Sequence, residues 1–313
     1  MSDFASILIF SYTQIYDDFC AIIYRHKGSD SMENVGLVLE GGGMRGFYTA
    51  GVLDYFMERG FYTNGVIGVS AGACHACSYV SRQIKRSYII NTKYLNDKRY
   101  MSMRSLLKTG DLFGAEFVYD TIPNELEPFD YQAYNTSGIK FYAVCSNLET
   151  GKAEYLPCIN MKHDVIYVRA SASLPLLSKT VEVNGLKLLD GGCTDSIPVK
   201  KFQKMGYQKN IVVLTQCKEY RKGKNNLLPI IKKTYRKFPE FIKAMEERHI
   251  NYNRTLDELG VMEKEGSVFI LRPKTPVTIG RLEKNVDKLT ALYDQGYQDA
   301  KENFDKILAF VNS

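Results

Sequence analysis

From Val35 onward the apolar residues alternate between two spacings. Gly36-Leu37-Val38-Leu39 is an unbroken apolar run ending in glycines, as a strand buried on both faces requires. Phe47, Ala50, Val52, Leu53, Phe56 and Met57 then recur at helical spacing, with Gly60 placed to close the helix. Val66-Ile67-Gly68-Val69 predicts a second strand, and Ala71 to about Gln83 a second helix. Farther on, Ile139 to Cys145 reads as a strand, and Glu149-Thr150-Gly151-Lys152 turns the chain into Ala153 to Leu156. Val181-Glu182-Val183 and Leu186 to Leu189 flank Asn184-Gly185, a strong hairpin signal. Ile211 to Leu214 and Val268 to Leu271 predict two more buried strands.

Leu227 to about Leu259 is expected to be helical, and the apolar positions from Leu282 to Leu308 fit one amphipathic helix, or two, packed on the body. The stretch from about Ser87 to Tyr134 is polar and broken by Pro123 and Pro128, and is expected to supply helices and loops that cover a site. Strands alternating with helices predict an α/β fold of three layers, α/β/α, with a mainly parallel sheet. Ligands in such folds gather beyond the C-terminal ends of the strands. The expected organisation is an N-terminal extension over 1–34, a core over 35–215, and a helical region over 216–313 with one further strand near 267–272.

Composition narrows this little: of 313 residues 45% are hydrophobic and 24% charged, as in ordinary globular chains. A formal charge of +6 gives no ground for nucleic-acid binding. Ten Lys or Arg against four Glu between Lys218 and Arg248 form a run that ordinarily faces water and that also suits an anionic membrane surface. Seven scattered cysteines fit a reducing compartment, and Cys74 and Cys77 read as packed thiols one helical turn apart. The runs Ser6 to Phe10 and Phe19 to Tyr24, interrupted by Asp17 and Asp18, lack the form of a signal peptide. No run is long enough to span a bilayer, so a cytoplasmic protein, at most peripheral at the membrane, is expected. Met32 directly precedes the first convincing strand, which suggests a native start there, with residues 1–31 a leader of doubtful origin.

Three turns carry the chemistry. Gly68-Val69-Ser70-Ala71-Gly72 is a G-x-S-x-G between a strand and a helix, where a tight turn exposes a serine hydroxyl and the helix N-terminus favours negative charge. Gly41-Gly42-Gly43-Met44-Arg45-Gly46 is a glycine turn with two functional readings. It either cradles a phosphate, as in nucleotide-binding folds, or offers amides to an oxyanion. Asp190-Gly191-Gly192 ends a hairpin strand, suited to reach an active-site crevice, but taken alone it reads first as an ordinary Asp-Gly turn. Of the four histidines, His26, His75, His163 and His249, none is placed to complete a conventional triad.

Taken in order, G-G-G-M-R-G, G-V-S-A-G and D-G-G closely resemble the patatin-like phospholipase family, over about Gly36 to Pro198. Ala170-Ser171-Ala172-Ser173-Leu174-Pro175 is similar to the family's small-residue segment, and the whole looks closest to the bacterial branch with a helical C-terminal extension. The resemblance implies a serine lipid acyl hydrolase of the carboxylic ester class, needing no metal or cofactor. Ser70 would be the nucleophile and Asp190 the proton acceptor, without histidine. Amides of Gly42 and Gly43, assisted by Met44 or Ala71, would hold the oxyanion. Arg45 would brace the glycine loop, and Ser196 stands where relatives often carry Asn. The substrate implied is a lipid or other acyl ester, and Phe113, Phe117, Leu174, Leu176 and Leu177 are candidates for an acyl channel. The competing readings are a phosphate-binding module and a hydrolase-like interaction protein of low turnover. An aspartate at its ordinary pKa is a weak base for a serine, so burial is expected to raise it.

Overall fold

The structure is a computed structural model that describes residues 34–313. The proposed start at Met32, Cys20 and His26 lie outside the described residues. In chain order the strands are β1 (Val35–Leu39), β2 (Gly65–Val69), β3 (Lys140–Asn147), β4 (Ala153–Pro157), β5 (Val181–Val183), β6 (Leu186–Asp190), β7 (Lys209–Val213) and β8 (Val268–Leu271). The α-helices are α1 (Phe47–Glu58), α2 (Ala71–Val80), α3 (Arg86–Lys93), α4 (Met103–Thr109), α5 (Tyr131–Thr136), α6 (Met161–Ser171), α7 (Val199–Lys204), α8 (Leu228–Thr234), α9 (Pro239–Lys264) and α10 (Val286–Asn312). All eight strands form one sheet. β8, β7, β1, β2 and β3 run parallel, while β4 and the β5–β6 hairpin are antiparallel.

Strand periodicity divides the core into two layers. Leu37 and Leu39 pack with Phe47, Phe56 and Tyr79 of α1 and α2 and with Leu289 and Phe304 of α10. Val38, between them, packs on the opposite face with Val199 and Phe202 of α7 and Tyr252 and Leu259 of α9. The sheet is therefore covered on both sides, the three-layer α/β/α arrangement read from the sequence.

β3 organises the site end. Val144 pairs with Val69 of β2 and with Tyr155 of β4, while Cys145 pairs with Glu154 of β4 and with Asp190 of β6. Since β4 occupies one edge of β3 at both residues, β2 and β6 must share the other edge, end to end. The last residue of β2 and the last residue of β6 thus lie opposite consecutive residues of β3.

The structure adds elements that local signals did not reveal. α6 was not expected, since its apolar positions include the β-branched Val165, Ile166 and Val168, which weaken a helical reading. α7 has six residues, too few for a periodicity. The single helix expected over 227–259 is two, because Phe238 precedes Pro239 and is driven out of helical geometry (φ −124°, ψ 72°). α2 stops at Val80 rather than near Gln83. Arg82 takes a left-handed conformation (φ 58°) with its guanidinium 4.8 Å from the centre of the Tyr62 ring.

α10 docks on α1 through a reciprocal pair of glycines. A Cβ on Gly51 would meet the Tyr293 carbonyl at 2.0 Å, and one on Gly296 the Tyr48 carbonyl at 2.0 Å. With the backbones this close, Tyr48 donates to Asp299 (3.0 Å) and Tyr293 to Asp54 (2.7 Å). Alanine ordinarily favours a helix over glycine by about 1 kcal/mol, yet Gly296→Ala is expected to lower stability by about 1–3 kcal/mol through overpacking. Gly260→Ala in α9, where an added Cβ meets nothing within 4 Å, should raise stability by roughly 0.5–1 kcal/mol. Urea unfolding of the two variants checks the opposite signs.

Candidate active site

Ser70 follows β2 directly and adopts φ 54°, ψ −122°, a conformation that costs a non-glycine residue about 1–3 kcal/mol. Contacts on β3 and α6 hold it there. The Ser70 amide donates to Ser171 Oγ (2.9 Å), and that hydroxyl donates to the Val144 carbonyl (2.6 Å). The flanking glycines are required by close approach. A Cβ on Gly72 would lie 2.5 Å from the Leu39 carbonyl, and one on Gly68 2.7 Å from Ala73 Cα.

Asp190 ends β6 and is buried. Its amide donates to the Ser173 carbonyl (2.8 Å), and its Oδ1 accepts from the Gly192 amide (2.7 Å). Gly191 lies against β3, where a Cβ would meet the Val144 carbonyl at 2.1 Å. Asp190 Oδ2 is buried with no hydrogen-bond partner among the described residues. Burial raises the carboxyl above its ordinary value, and the nearby Ser70 hydroxyl and Arg248 guanidinium pull it partly back. Ser70 and Asp190 are thus neighbours poised for a hydrogen bond rather than joined by a formed one. Ser196 acts one step away, donating to the Gly192 carbonyl (2.9 Å), which Arg248 Nε also contacts.

The glycine turn runs from β1 past the serine. A Cβ on Gly41 would lie 2.9 Å from Ser70 Cβ. Gly43 has φ 58° and packs under the Arg281 carbonyl, a conformation open to glycine at little cost. Gly46 faces the His75 ring. Among the described residues no acceptor meets the amides of Gly42, Gly43 or Ala71, the last at the start of α2, where helices leave donors unsatisfied. Met44 differs, because its amide already donates to the Arg281 carbonyl (3.1 Å). Arg45, expected to brace this loop, makes no side-chain hydrogen bond there, and its Nε is buried without a partner.

His75 is buried, which alone pushes it down to about 4. The ring is therefore neutral near pH 7, and no carboxylate among the described residues bonds to it. Cys74 and Cys77 are free thiols, Cys74 raised to about 11 by burial, which keeps it protonated.

Two cavities meet at Ser70. The apolar one runs under α3 and the polar 87–134 segment and is lined by Phe47, Ile90, Tyr100, Phe113, Val118 and Phe129, among others. Of the channel candidates, Phe113 and Leu174 line it, Leu176 and Leu177 line a different pocket, and Phe117 is buried in the core. The second cavity is polar and lined by Glu40, Arg45, Asp190, Lys222, Arg248 and Arg281. Gly43, Ser70, Leu174 and Arg281 border both. Sequence reasoning missed Glu40, Lys222, Arg248 and Arg281 as site residues. Lys222 and Arg248 belong to a basic run whose ordinary reading is a solvated face, and Arg281 sits in a loop without periodicity.

The fold is a three-layer α/β/α sheet carrying a serine on a strained turn near a buried aspartate. The comparisons make the family definite. Residues 37–202 match the model for patatin-like phospholipase, and the chain belongs to that family. Residues 238–312 match a domain of unknown function, DUF6363. The chain is 30% identical over 186 residues to the uncharacterized protein YjjU of Escherichia coli, covering 58% of this chain and 52% of that one. It is 28% identical over 203 residues to lysophospholipase NTE1 of Saccharomyces cerevisiae, covering 59% of this chain and 11% of that protein. The match thus spans about half of one relative and about a tenth of the other. A solved structure, VipD from Legionella pneumophila, superposes with a TM-score of 0.43 at 14% identity, covering 86% of this chain and 67% of VipD. No helix among the described residues is long and apolar enough to cross a membrane.

The buried aspartate has a consequence for stability. Its folded-state pKa lies above 3.8, the unperturbed value, so the native state holds the proton more tightly than the unfolded chain. Asp190 therefore costs stability as pH rises through the folded-state pKa. Asp190→Asn should melt higher than wild type at pH 7, with the gap closing toward pH 4, in thermal scans across that range.

Proposed function

We propose that the protein is a serine lipid acyl hydrolase that cleaves a carboxylic ester with Ser70 and Asp190 and without histidine. The observation that carries this is the buried, unpartnered Asp190 Oδ2 beside a serine held in a strained turn. A buried polar atom without a partner costs about 1–3 kcal/mol, and a proton delivered by the serine offsets that cost.

Asp190 takes the proton as Ser70 Oγ bonds to the acyl carbon, and the carbonyl electrons move onto oxygen. The unspent amides of Gly42, Gly43 and Ala71 hold that oxyanion. Removing one such donor typically costs about 3 kcal/mol, so the set can offset the weakness of a carboxylate base. The intermediate collapses as the ester C–O bond breaks and Asp190 returns its proton to the leaving alkoxide. Water then attacks the acyl-serine, giving a proton to Asp190 and releasing the acid as Ser70 regains its hydrogen. The apolar cavity suits the acyl chain, and the family's lysophospholipase relatives support a lipid ester. The phosphate-binding alternative for the glycine turn finds less support, because Gly41 is packed against Ser70.

Ser70→Ala and Asp190→Asn should each lower ester turnover by roughly 10³-fold or more while circular dichroism stays unchanged, and a fluorophosphonate probe should label the protein only when Ser70 is present. Retained turnover in either purified variant would overturn the assignment. Because the base must be ionised, kcat/KM should fall on the acid side with a midpoint above 3.8, the ordinary carboxyl value; a flat profile from pH 4 to 7 would count against Asp190.

A further inference from the structure

The polar cavity beside Ser70 is walled by cations from four separate segments. Arg45 lies within the glycine turn, Lys222 lies after β7, Arg248 is on α9, and Arg281 precedes α10. None of the four forms an ion pair among the described residues. Arg45 Nε is buried with no partner, and Arg45, Lys222 and Arg248 are half-buried. Lys222 is fixed from both sides of its peptide, its amide donating to Asn253 Oδ1 (2.8 Å) and its carbonyl accepting from Asn253 Nδ2 (3.0 Å), with its ammonium 4.0 Å from the centre of the Tyr252 ring.

Two carboxylates share the cavity against four cations, and neither forms an ion pair with them among the described residues. Glu40 is spent on Thr215 (2.7 Å to the amide, 3.1 Å to Oγ1) and on the Tyr252 hydroxyl (2.6 Å). Asp190 is committed to Gly192 on one oxygen and faces Ser70 with the other. Burial, and after it repulsion from Arg248, pulls Lys222 down to about 7, against the attraction of Glu40. Positive charge is thus crowded there at a cost that a bound anion would reverse.

We propose that this cavity is an anion subsite for the phosphate headgroup of the ester cleaved at Ser70, and that it selects a doubly charged phosphate monoester over a zwitterionic or uncharged headgroup. The proposal rests on the Ser70 reading for the position of the ester. Guanidinium groups bind phosphate through paired charge-assisted hydrogen bonds, and three of the four cations here are arginines. A choline-type ammonium finds no available carboxylate on these walls. The geometry is amphipathic in the right sense: Ser70 borders both the apolar cavity for a chain and the cationic one for a headgroup. Arg248 and Arg281 fall within the C-terminal region matched only to a domain of unknown function, which assigns that region a role in substrate choice.

Binding is measured on the Ser70→Ala protein, so that it does not depend on turnover. The probes are monomeric lysophosphatidic acid, lysophosphatidylcholine and monoacylglycerol with one common acyl chain, and inorganic phosphate alone. Lysophosphatidic acid should bind at least about tenfold tighter than the other two lipids, the scale of one charge-assisted hydrogen bond. Arg281→Gln in the same background should remove that advantage. Arg281 sits in the loop before α10 and is exposed as a residue, circular dichroism of each variant checks that the fold is kept, and Arg248→Gln provides the second variant. Equal binding of the three lipids overturns the proposal, as does a preference that survives both substitutions. Phosphate binding without a lysophosphatidic acid advantage also overturns it, and assigns the cavity to a free anion instead. Selective lipid binding by a protein whose Ser70 resists fluorophosphonate would sink the hydrolase reading alone.

Discussion

The edge of β3 is the constraint on which the site depends. Two strands meet there end to end, β2 arriving in parallel and β6 antiparallel, and the register places their final residues opposite Val144 and Cys145. Val69 and Asp190, 121 positions apart, are juxtaposed by main-chain hydrogen bonds, which leave little freedom for slippage, because a shift of one residue would turn every side chain to the other face. The Val144 carbonyl is the focus: Ser171 donates to it while accepting from the Ser70 amide, and Gly191 packs on it. Strain at Ser70 and burial at Asp190 can persist because this ladder over-determines both positions.

Around that ladder the chain separates chemical environments. Apolar side chains from α3 and the segment after it close over one side of Ser70, while cations from three loops and α9 gather on the other. Such a division suits a molecule with one oily and one charged end.

Most of the framework was legible from residues close in sequence. Turn chemistry is local, so Gly68 to Gly72, Gly41 to Gly46 and Asn184-Gly185 could each be placed between the right elements, and buried parallel strands announce themselves as short apolar runs. What could not be read depends on contacts between distant segments. The amides of Gly42, Gly43 and Met44 lie in one short turn, and the Arg281 carbonyl, distant in sequence, occupies only the last of them. Lys222 and Arg248 carry the composition of a solvated face, yet both are half-buried and line the polar cavity beside Ser70. Glu40 sits after a strand like any polar terminator, until Thr215 and Tyr252 close around it.

The hydrogen bond from Met44 to Arg281 joins the two matched regions of the chain at the glycine turn. A boundary drawn by sequence similarity at residue 202 therefore cuts through the physical unit, since one wall of the candidate site is encoded beyond it. The two segments are physically interdependent, since both contribute walls to the polar cavity beside Ser70. A recombinant exchange of the C-terminal segment alone would remodel the shape of the turn together with the charge of the pocket beside it.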